Sequence, residues 1–467
     1  MLGACATTPE TSTVNHLDRL LADPALQGAT VSLTVRDLRS GRTLYRHNAQ
    51  TRLTPASNLK LFTTAAAMDV LGPQYRFATQ LLNTGTRQGA LLTGNLYLRG
   101  LGDPTIQWAD YQALAAQLAS QGIRQVSGDL VFDDTWFDAE RLGVDWSHDD
   151  ETTYYGAQIS ALTVSPNADF DAGSLLITAR APALAGQPVS VEIAPPTDYV
   201  QLSNRAVSGP GNSYGINRRH GTNLMQLTGA LAPGKQSPQL VSVWEPTRLV
   251  ANLFEQALAQ QGIRVTGRRV IGGSTPATAT LLATHDSAPL QELITPLLKL
   301  SNNNMSEALL KAMGRQSANA GTAAAGTAAV AGFLKRQGID PSTLNQVDGS
   351  GLSRRNLVST QNIADLLVAA SKQPWFNAWY NALPIAGNPD RMTGGSLRYR
   401  LVGTPAQNNL HAKTGSMGGV SSLSGYVTDA SGRRLVFSMI SNNYVAGGAP
   451  VKALEDRVAQ TLARQAD

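Results

Sequence analysis

The two ends of this chain share one pattern, and its long middle shows another. Near the N-terminus, alternating segments on either side of Ser40-Gly41 predict a hairpin, and a helix begins close to Ser57. Helical periodicity returns at residue 287, followed by a second predicted hairpin and a last helix with an apolar stripe. Between about 75 and 285, short strands alternate with loops rich in Pro, Gly and Asn. The pattern predicts one domain that a long insertion interrupts.

Two helix-then-strand units recur inside the middle region. They end in the similar phrases QGIRQVSG, at 121–128, and QGIRVTGR, at 261–268. The parallel phrasing predicts a repeated α/β building block. Two copies are too few to indicate a solenoid.

Length and composition limit the class of protein. A chain of 467 residues favours two or three domains, and a hydrophobic content of 42% excludes wholesale disorder. The net charge of +5 (38 basic minus 33 acidic residues) is spread thinly, with no basic run of five or more, so we predict no nucleic-acid partner. The chain has no stretch of 18 apolar residues, so no membrane span is predicted.

The N-terminal string MLGACATTPETST contains the only cysteine, Cys5, which excludes an intrachain disulfide. Leu2-Gly3-Ala4-Cys5 looks like the end of a bacterial lipoprotein signal, and residues 1–12 look like a tether rich in Thr, Ser and Pro. A lipid on Cys5 would then be the only attachment to a membrane. The alternative is a chance tetrapeptide.

The stretch TPASNLKLFTTAAAM places Ser57 three residues before Lys60 at the start of the first predicted helix. At this spacing the two side chains share one helix face and can form a hydrogen bond. A partly desolvated lysine can be neutral and accept the proton of a serine hydroxyl. The alternative is an N-cap serine followed by a surface lysine. For this motif alone, the capping interpretation is favoured, although the chain has only eight lysines.

Other catalytic signatures are missing from the sequence. The six histidines are scattered without the spacing of a metal site, and we find neither a G-x-S-x-G elbow nor a P-loop. We therefore predict no metal and no cofactor.

Two later motifs change the interpretation of the first. KLSNNNMSEALL contains Ser301-Asn302-Asn303 where a helix breaks, and LHAKTGSMGGV contains Lys413-Thr414-Gly415-Ser416. In the first of these two strings, the hydroxyl of Ser301 can relay a proton, and an amide side chain can hold both a lysine and a substrate carbonyl. In the second string, a strand that carries a cation and a hydroxyl can bind a terminal carboxylate. Each string alone also fits a polar cap or turn. The three together, in this order, are very hard to attribute to chance.

This combination resembles the penicillin-recognising serine acyl-transferases. It is most similar to the class C low-molecular-mass penicillin-binding proteins, the D-alanyl-D-alanine carboxypeptidase/endopeptidases of the penicillin-binding protein 4 type. That family places a long insertion between the first two motifs, and here Ser57 and Ser301 are 244 residues apart (301 minus 57). The strings GLGDPT (100–105) and DGSGLSRRN (348–356) also look like the family, and the resemblance runs from about residue 30 to 465.

For the fold, the resemblance implies an α/β (α+β multidomain) protein. Its β-lactamase/transpeptidase-like domain would have an antiparallel sheet flanked by helices, formed by residues 1–74 and 287–467. Residues 75–286 would form the insertion, as two nested smaller domains.

The resemblance also implies roles for the catalytic motif residues. Ser57 would be the acylated nucleophile and Lys60 its general base. Ser301 would relay a proton and Asn303 would anchor the substrate.

Further roles implied by the resemblance concern substrate binding. Lys413 and Thr414 would bind the terminal carboxylate, Gly415 would allow close approach of the strand, and the N–H groups of Ser57 and Ser416 would form the oxyanion hole. Arg354, and Asp150 at the other end, would hold a diaminopimelate side chain; a plain loop acid is the alternative for Asp150. Relatives often have a polar side chain where this chain has Gly418-Gly419, which leaves side-chain specificity open.

The implied function is hydrolysis of peptidoglycan. The enzyme would cleave D-Ala-D-Ala ends and crosslinks in the periplasm or cell envelope, and β-lactams would inhibit it covalently. One alternative is a serine β-lactamase, which is normally little more than half this length and needs a water-activating group that we do not find. A non-catalytic wall-associated protein is the other alternative, against which all three motifs are intact.

Overall fold

The structure, a computed structural model, describes residues 9–211 and 213–466. These residues form two compact units. The first contains the described residues up to Gln74, Pro289–Met313 and the described residues from Ala323 onward. The second contains Tyr75–Ala288 and Gly314–Thr322. Cys5, the predicted lipidation site, lies outside the described residues.

The first unit is built on a five-stranded antiparallel sheet. Both predicted hairpins are present as neighbouring pairs in this sheet. In spatial order its strands are Thr43–His47, Thr30–Asp37, Arg434–Asn442, Val420–Thr428 and His411–Met417.

Helices cover both faces of this sheet. On one face, the hydroxyls of Ser32 and Thr34 lie 2.6 and 2.8 Å from the hydroxyl of Thr360, at the start of a helix. The alternate residues, such as Leu33, point to the opposite face, where they join the core of the C-terminal helix Gly448–Arg464. This double cover explains why the central strands are buried almost throughout. The α-helices that begin in this unit are Pro9–Leu21, Lys60–Val70, Leu290–Leu300, Asn303–Ala318, Ala323–Arg336, Thr360–Ala370, Phe376–Ala382, Arg391–Gly394 and Gly448–Arg464.

The second unit combines several small sheets with two helices, Trp108–Ser120 and Pro246–Gln260. After each helix come two short strands, and the corresponding strands of the two copies pair in parallel. This pairing confirms the repeated α/β block. With strands in spatial order, the largest sheet of this unit contains Arg269–Ile271, Leu130–Asp133, Leu96–Gly100, Ala78–Asn83 and Thr280–Asp286, and a four-stranded sheet contains Arg264–Val265, Gln125–Val126, Leu91–Leu92 and Arg87–Gln88. One three-stranded sheet contains Ser190–Ala194, Ser174–Arg180 and Gln236–Ser242, and another contains Gln201–Asn204, Leu224–Thr228 and Gly215–Arg218. A two-stranded sheet pairs Val207–Ser208 with Ala230–Leu231.

The second unit also includes the short segment 314–322, which sequence analysis assigned to the catalytic domain. The guanidinium of Arg315 lies 4.3 Å from the ring centroid of Trp136, and the N–H of Asp138 donates to the carbonyl of Gly321 at 3.0 Å. These long-range contacts leave no signal in local sequence. The division of the insertion into two nested domains stays a prediction. Among the described residues, no helix is both long enough and apolar enough to cross a membrane.

Candidate active site

Ser57 lies in a 3-10 turn, Ala56–Leu59, directly before the helix Lys60–Val70. No side chain caps the turn or the helix, so the interpretation of Ser57 as an N-cap is wrong. Its Oγ lies 3.0 Å from Lys60 Nζ instead. The preceding residue, Ala56, has φ = 47°, a left-handed conformation that costs on the order of 1 kcal/mol outside glycine. The hydroxyl that contacts the lysine thus follows a residue with a strained backbone.

Lys60 is fully buried, and its ammonium group has three partners. Besides Ser57 Oγ, it donates to Asn303 Oδ1 and to the carbonyl oxygen of Ser350, each at 2.7 Å. Burial lowers the pKa of Lys60 to about 7, although the negative charges of Glu307 and Asp348 act in the opposite direction. A large fraction of Lys60 is therefore neutral near neutral pH and able to accept a proton.

Glu307 completes the support of Lys60, and sequence analysis missed it. The buried carboxylate accepts hydrogen bonds from the N–H groups of Gly349 (2.9 Å) and Ser350 (2.8 Å), and so positions the carbonyl that Lys60 contacts. Burial, together with the neighbouring Asp348, raises the pKa of Glu307 above its ordinary value. A signal was available, because Glu307 follows Asn303 by four residues and therefore shares its helix face.

Ser301 and Lys413 form the second half of the centre. Ser301 has φ = 62° and ends the helix Leu290–Leu300, while Asn303 begins the next helix. Lys413 Nζ donates to Ser301 Oγ at 2.9 Å and to the carbonyl of Thr414 at 2.8 Å. Burial, with the nearby positive charge of Lys60, holds the pKa of Lys413 well below its usual range.

Gly415 allows the strand His411–Met417 to approach the turn that carries Ser57. A Cβ atom at this position would lie 2.3 Å from Ser422 Oγ, 2.8 Å from the carbonyl oxygen of Pro55 and 3.0 Å from the nitrogen of Ser57. Such distances are too short for any side chain, so glycine is required here for packing. This strand is the last in the sheet order.

The amide of Asn58 links the turn Ala56–Leu59 to the sheet. Its Nδ2 donates to the carbonyl of Lys413 at 3.1 Å and to Ser422 Oγ at 2.7 Å. Asn58 is fully buried, so these bonds are shielded from water. These buried hydrogen bonds therefore hold the turn against the strand.

The predicted substrate-binding residues divide between the two units. The hydroxyl of Thr414 lies 2.7 Å from that of Ser396, and the exposed Arg354 donates to the carbonyl of Gly418 at 2.8 Å. Thr414 belongs to the same strand as the exposed Ser416, and Arg354 contacts the chain just after this strand. Asp150 belongs to the second unit, where it accepts a hydrogen bond from the hydroxyl of Tyr155 at 2.9 Å.

Comparison with known proteins identifies the family of this chain. Residues 13–465 match the D-Ala-D-Ala carboxypeptidase 3 (S13) family. The chain belongs to this family. The family, the enzyme class and the fold class predicted from sequence are thereby confirmed: the chain is a serine-type D-Ala-D-Ala carboxypeptidase of the penicillin-binding protein 4 type, with a transpeptidase-like fold.

Two of its relatives cover nearly the whole chain. A D-alanyl-D-alanine carboxypeptidase from Actinomadura sp. (strain R39) is 44% identical over 460 residues, which are 96% of this chain and 84% of the relative. The crystal structure of penicillin binding protein 4 from Haemophilus influenzae is 27% identical, with a TM-score of 0.85 over 96% of this chain and 99% of the other. A second structure of that Haemophilus protein, in complex with a β-lactam, is 26% identical, with a TM-score of 0.78 over 97% and 99%.

Proposed function

We propose that this enzyme removes the terminal D-alanine of peptidoglycan stem peptides through an acyl intermediate on Ser57. The single observation that carries the proposal is the contact of Ser57 Oγ with the buried Lys60 at 3.0 Å. A serine next to a lysine with a pKa of about 7 has a base that is partly neutral near pH 7.

Acylation follows from this arrangement. Neutral Lys60 takes the proton of Ser57 as Oγ attacks the carbonyl of the D-Ala-D-Ala bond. The N–H groups of Ser57 and Ser416 stabilise the oxyanion. Asn303 accepts a hydrogen bond from Lys60 and so keeps its amine oriented toward Ser57. The C–N bond then breaks, and the proton that Lys60 took from Ser57 passes through the hydroxyl of Ser301 to the departing amine of D-alanine. Lys413 Nζ holds Ser301 Oγ by a hydrogen bond of 2.9 Å. Water attacks the ester in the second half-reaction and regenerates Ser57.

β-Lactams acylate the same serine. Opening of the ring leaves the amine attached to the acyl group, so it stays in the site instead of diffusing away. We infer that the tethered group hinders the attack of water and makes the acyl-enzyme long-lived. A bond between D-alanine and the diaminopimelate of a second stem is chemically the same amide, and we therefore propose D,D-endopeptidase activity on crosslinks as well.

Lys413 and Thr414 are proposed to bind the terminal carboxylate of the substrate. We expect Thr414→Val, which keeps the side-chain shape, to lower kcat/KM for a D-Ala-D-Ala peptide by about 10- to 100-fold, as for the loss of a hydrogen bond to a charged group. The control substrate is the same peptide with a C-terminal amide in place of the carboxylate. Equal losses on both substrates would contradict the carboxylate role, whereas a loss confined to the free acid supports it.

Arg354 and Asp150 are proposed to hold the side chain of the stem peptide. Arg354 is exposed and charged, as recognition of a carboxylate requires. A diaminopimelate side chain carries both a carboxylate and an ammonium group, so an arginine and an acid are complementary to its two charges. The role of Asp150 depends on the resemblance alone.

The proposed substrate places the enzyme in the periplasm or cell envelope, where peptidoglycan lies. We further propose that Cys5 is lipidated, on the strength of the preceding Leu2-Gly3-Ala4. Mass spectrometry of the protein isolated from its own cells would detect the lipid on the N-terminal peptide.

Digestion of purified muropeptides tests the function. We expect the wild-type enzyme to convert pentapeptide monomers to tetrapeptides with release of D-alanine, and crosslinked dimers to monomers. Products are identified by mass, and a parallel reaction with enzyme preincubated with penicillin serves as the control. Cleavage that persists in the penicillin-treated reaction would contradict a shared acyl-serine site.

A further inference from the structure

Three side chains with metal-binding atoms lie together in the second unit. His148 begins the short turn His148–Asp150, Glu151 follows it, and His220 comes after the strand Gly215–Arg218. Their nearest ligand atoms all lie within 4.8 Å of one another. The two imidazole rings are stacked, with 3.6 Å between centroids and 20° between planes, and His220 Nδ1 lies 2.7 Å from Glu151 Oε2.

The carboxylate of Glu151 also accepts hydrogen bonds from groups outside the cluster. Its other oxygen, Glu151 Oε1, accepts hydrogen bonds from the guanidinium of Arg218 (3.0 Å) and from the N–H of Gly221 (3.1 Å). Arg218 is fully buried and also donates to the carbonyl of Thr222 at 2.7 Å. Glu151 therefore turns one oxygen toward the protein and the other toward the imidazoles. Metal-binding carboxylates are commonly oriented in this way by a hydrogen bond to the second oxygen.

We propose that His148, Glu151 and His220 bind one divalent transition-metal ion of the zinc type. Two imidazole nitrogens and one carboxylate oxygen are a ligand set that zinc accepts, whereas calcium and magnesium prefer oxygen ligands alone. Water would complete the coordination. The cluster lies in the second unit, so the proposal does not depend on the function of Ser57.

Binding requires a small rearrangement at the surface. Ligand atoms at about 2.0–2.1 Å from a tetrahedral ion lie closer together than 4.8 Å, and the in-plane lone pairs of two parallel rings do not converge on one point. The two stacked imidazole rings must therefore move apart. Glu151 Oε2 must also give up its hydrogen bond with His220 and bind the metal instead. His148 is exposed, so its side chain is free to swing toward the ion. The charge of Arg218 opposes a cation, and we accordingly expect weaker binding than at a buried structural zinc site.

The ion would join two segments that are far apart in the sequence. One is the loop of His148 and Glu151, and the other is the turn of His220. Because the unfolded chain does not hold these ligands together, metal binding stabilises the folded state. The sequence-based prediction of no metal site rested on local spacing, which cannot register this pair of histidines.

Titration of the tag-free full chain with ZnCl2 tests the proposal, with binding followed by calorimetry and by competition with a chromogenic chelator. We expect one equivalent to bind and the thermal unfolding temperature to rise. We expect His148→Ala to weaken binding by at least about tenfold, and His220→Ala likewise. His47→Ala removes another exposed histidine, in the first unit, and should bind zinc as the wild type does. CoCl2 provides a second probe, since its visible spectrum reports nitrogen ligands.

The exposed position of His148 keeps the test valid if the His220 variant fails to fold. Covalent labelling by a fluorescent penicillin should be equal in the wild type and His148→Ala, which checks that the variant is folded. Absence of stoichiometric zinc binding by the wild type, or unchanged affinity in His148→Ala, would overturn the proposal.

Discussion

Ser57→Ala is expected to abolish covalent labelling by penicillin and to lower the release of D-alanine by at least about 10⁴-fold, because removal of the nucleophile leaves only substrate binding and oxyanion stabilisation. Both readouts depend on a bond to the same Oγ. Intact-protein mass spectrometry checks the first, since the wild type should gain the mass of one penicillin. The rate of D-alanine release from a pentapeptide checks the second.

A matched control separates this loss from a general effect of serine removal. Ser190→Ala changes an exposed serine in the second unit and should label and hydrolyse as the wild type does. Ser57→Ala should unfold at a similar temperature to the wild type, since its side chain is only partly buried. A penicillin adduct on the Ser57→Ala protein, or undiminished cleavage, would show that another residue is the nucleophile.

Removal of Lys60 is expected to have the next largest effect. We expect both Lys60→Met and Lys60→Arg to lower the rate of acylation by about 10²- to 10⁴-fold, the usual contribution of a general base. Arginine keeps the positive charge but does not release its proton, so it distinguishes a base from a cation that merely orients Ser57. Stopped-flow labelling with a chromogenic β-lactam measures the rate. A Lys60→Arg enzyme with nearly wild-type acylation would exclude the general-base role.

The pH dependence of the wild type follows from the lowered pKa of Lys60. Only the neutral amine accepts a proton, so kcat/KM for acylation should rise about tenfold per pH unit below pH 7 and level off above it. Without the burial of Lys60, the rise would continue toward its ordinary pKa of 10.5. A profile still rising steeply at pH 9 would contradict this assignment.

Glu307→Gln provides a matched variant that keeps the amine of Lys60. The carboxylate raises the pKa of Lys60, so its loss should move the rising part of the pH profile to lower pH. The glutamine side chain keeps one acceptor oxygen but turns an NH2 group toward a backbone N–H, which costs about 1–3 kcal/mol of stability. An unchanged pH midpoint would mean that Glu307 supports the loop of Gly349 and Ser350 without tuning the base.

The grouping of side chains within each motif was predictable because each motif is short. S-x-x-K, S-x-N and K-T-G place their residues within four positions of one another, and such spacings determine which side chains share a helix face or a strand. The order of the motifs indicated the family and hence the fold. Helical and strand periodicity located both hairpins of the five-stranded sheet and the C-terminal helix.

Features built from long-range contacts were not predictable. Glu307 carries a usable spacing signal, yet its function depends on the loop 349–350, which supplies the N–H groups it binds. The segment 314–322 was assigned to the wrong side of the boundary because its partners, Trp136 and Asp138, lie far back in the chain. Local patterns do not record such partners.

By itself, the sequence determined that the side chains of Ser57 and Lys60 lie within reach of each other, because residues three positions apart in a helical turn share one face. Only the tertiary structure decided their contacts and their environment. Burial depresses the pKa of Lys60, and Ser57 contacts its amine instead of capping the turn or the helix. The same limit applies to His148 and His220. Desolvation and proximity depend on the path of the whole chain, which no local spacing encodes.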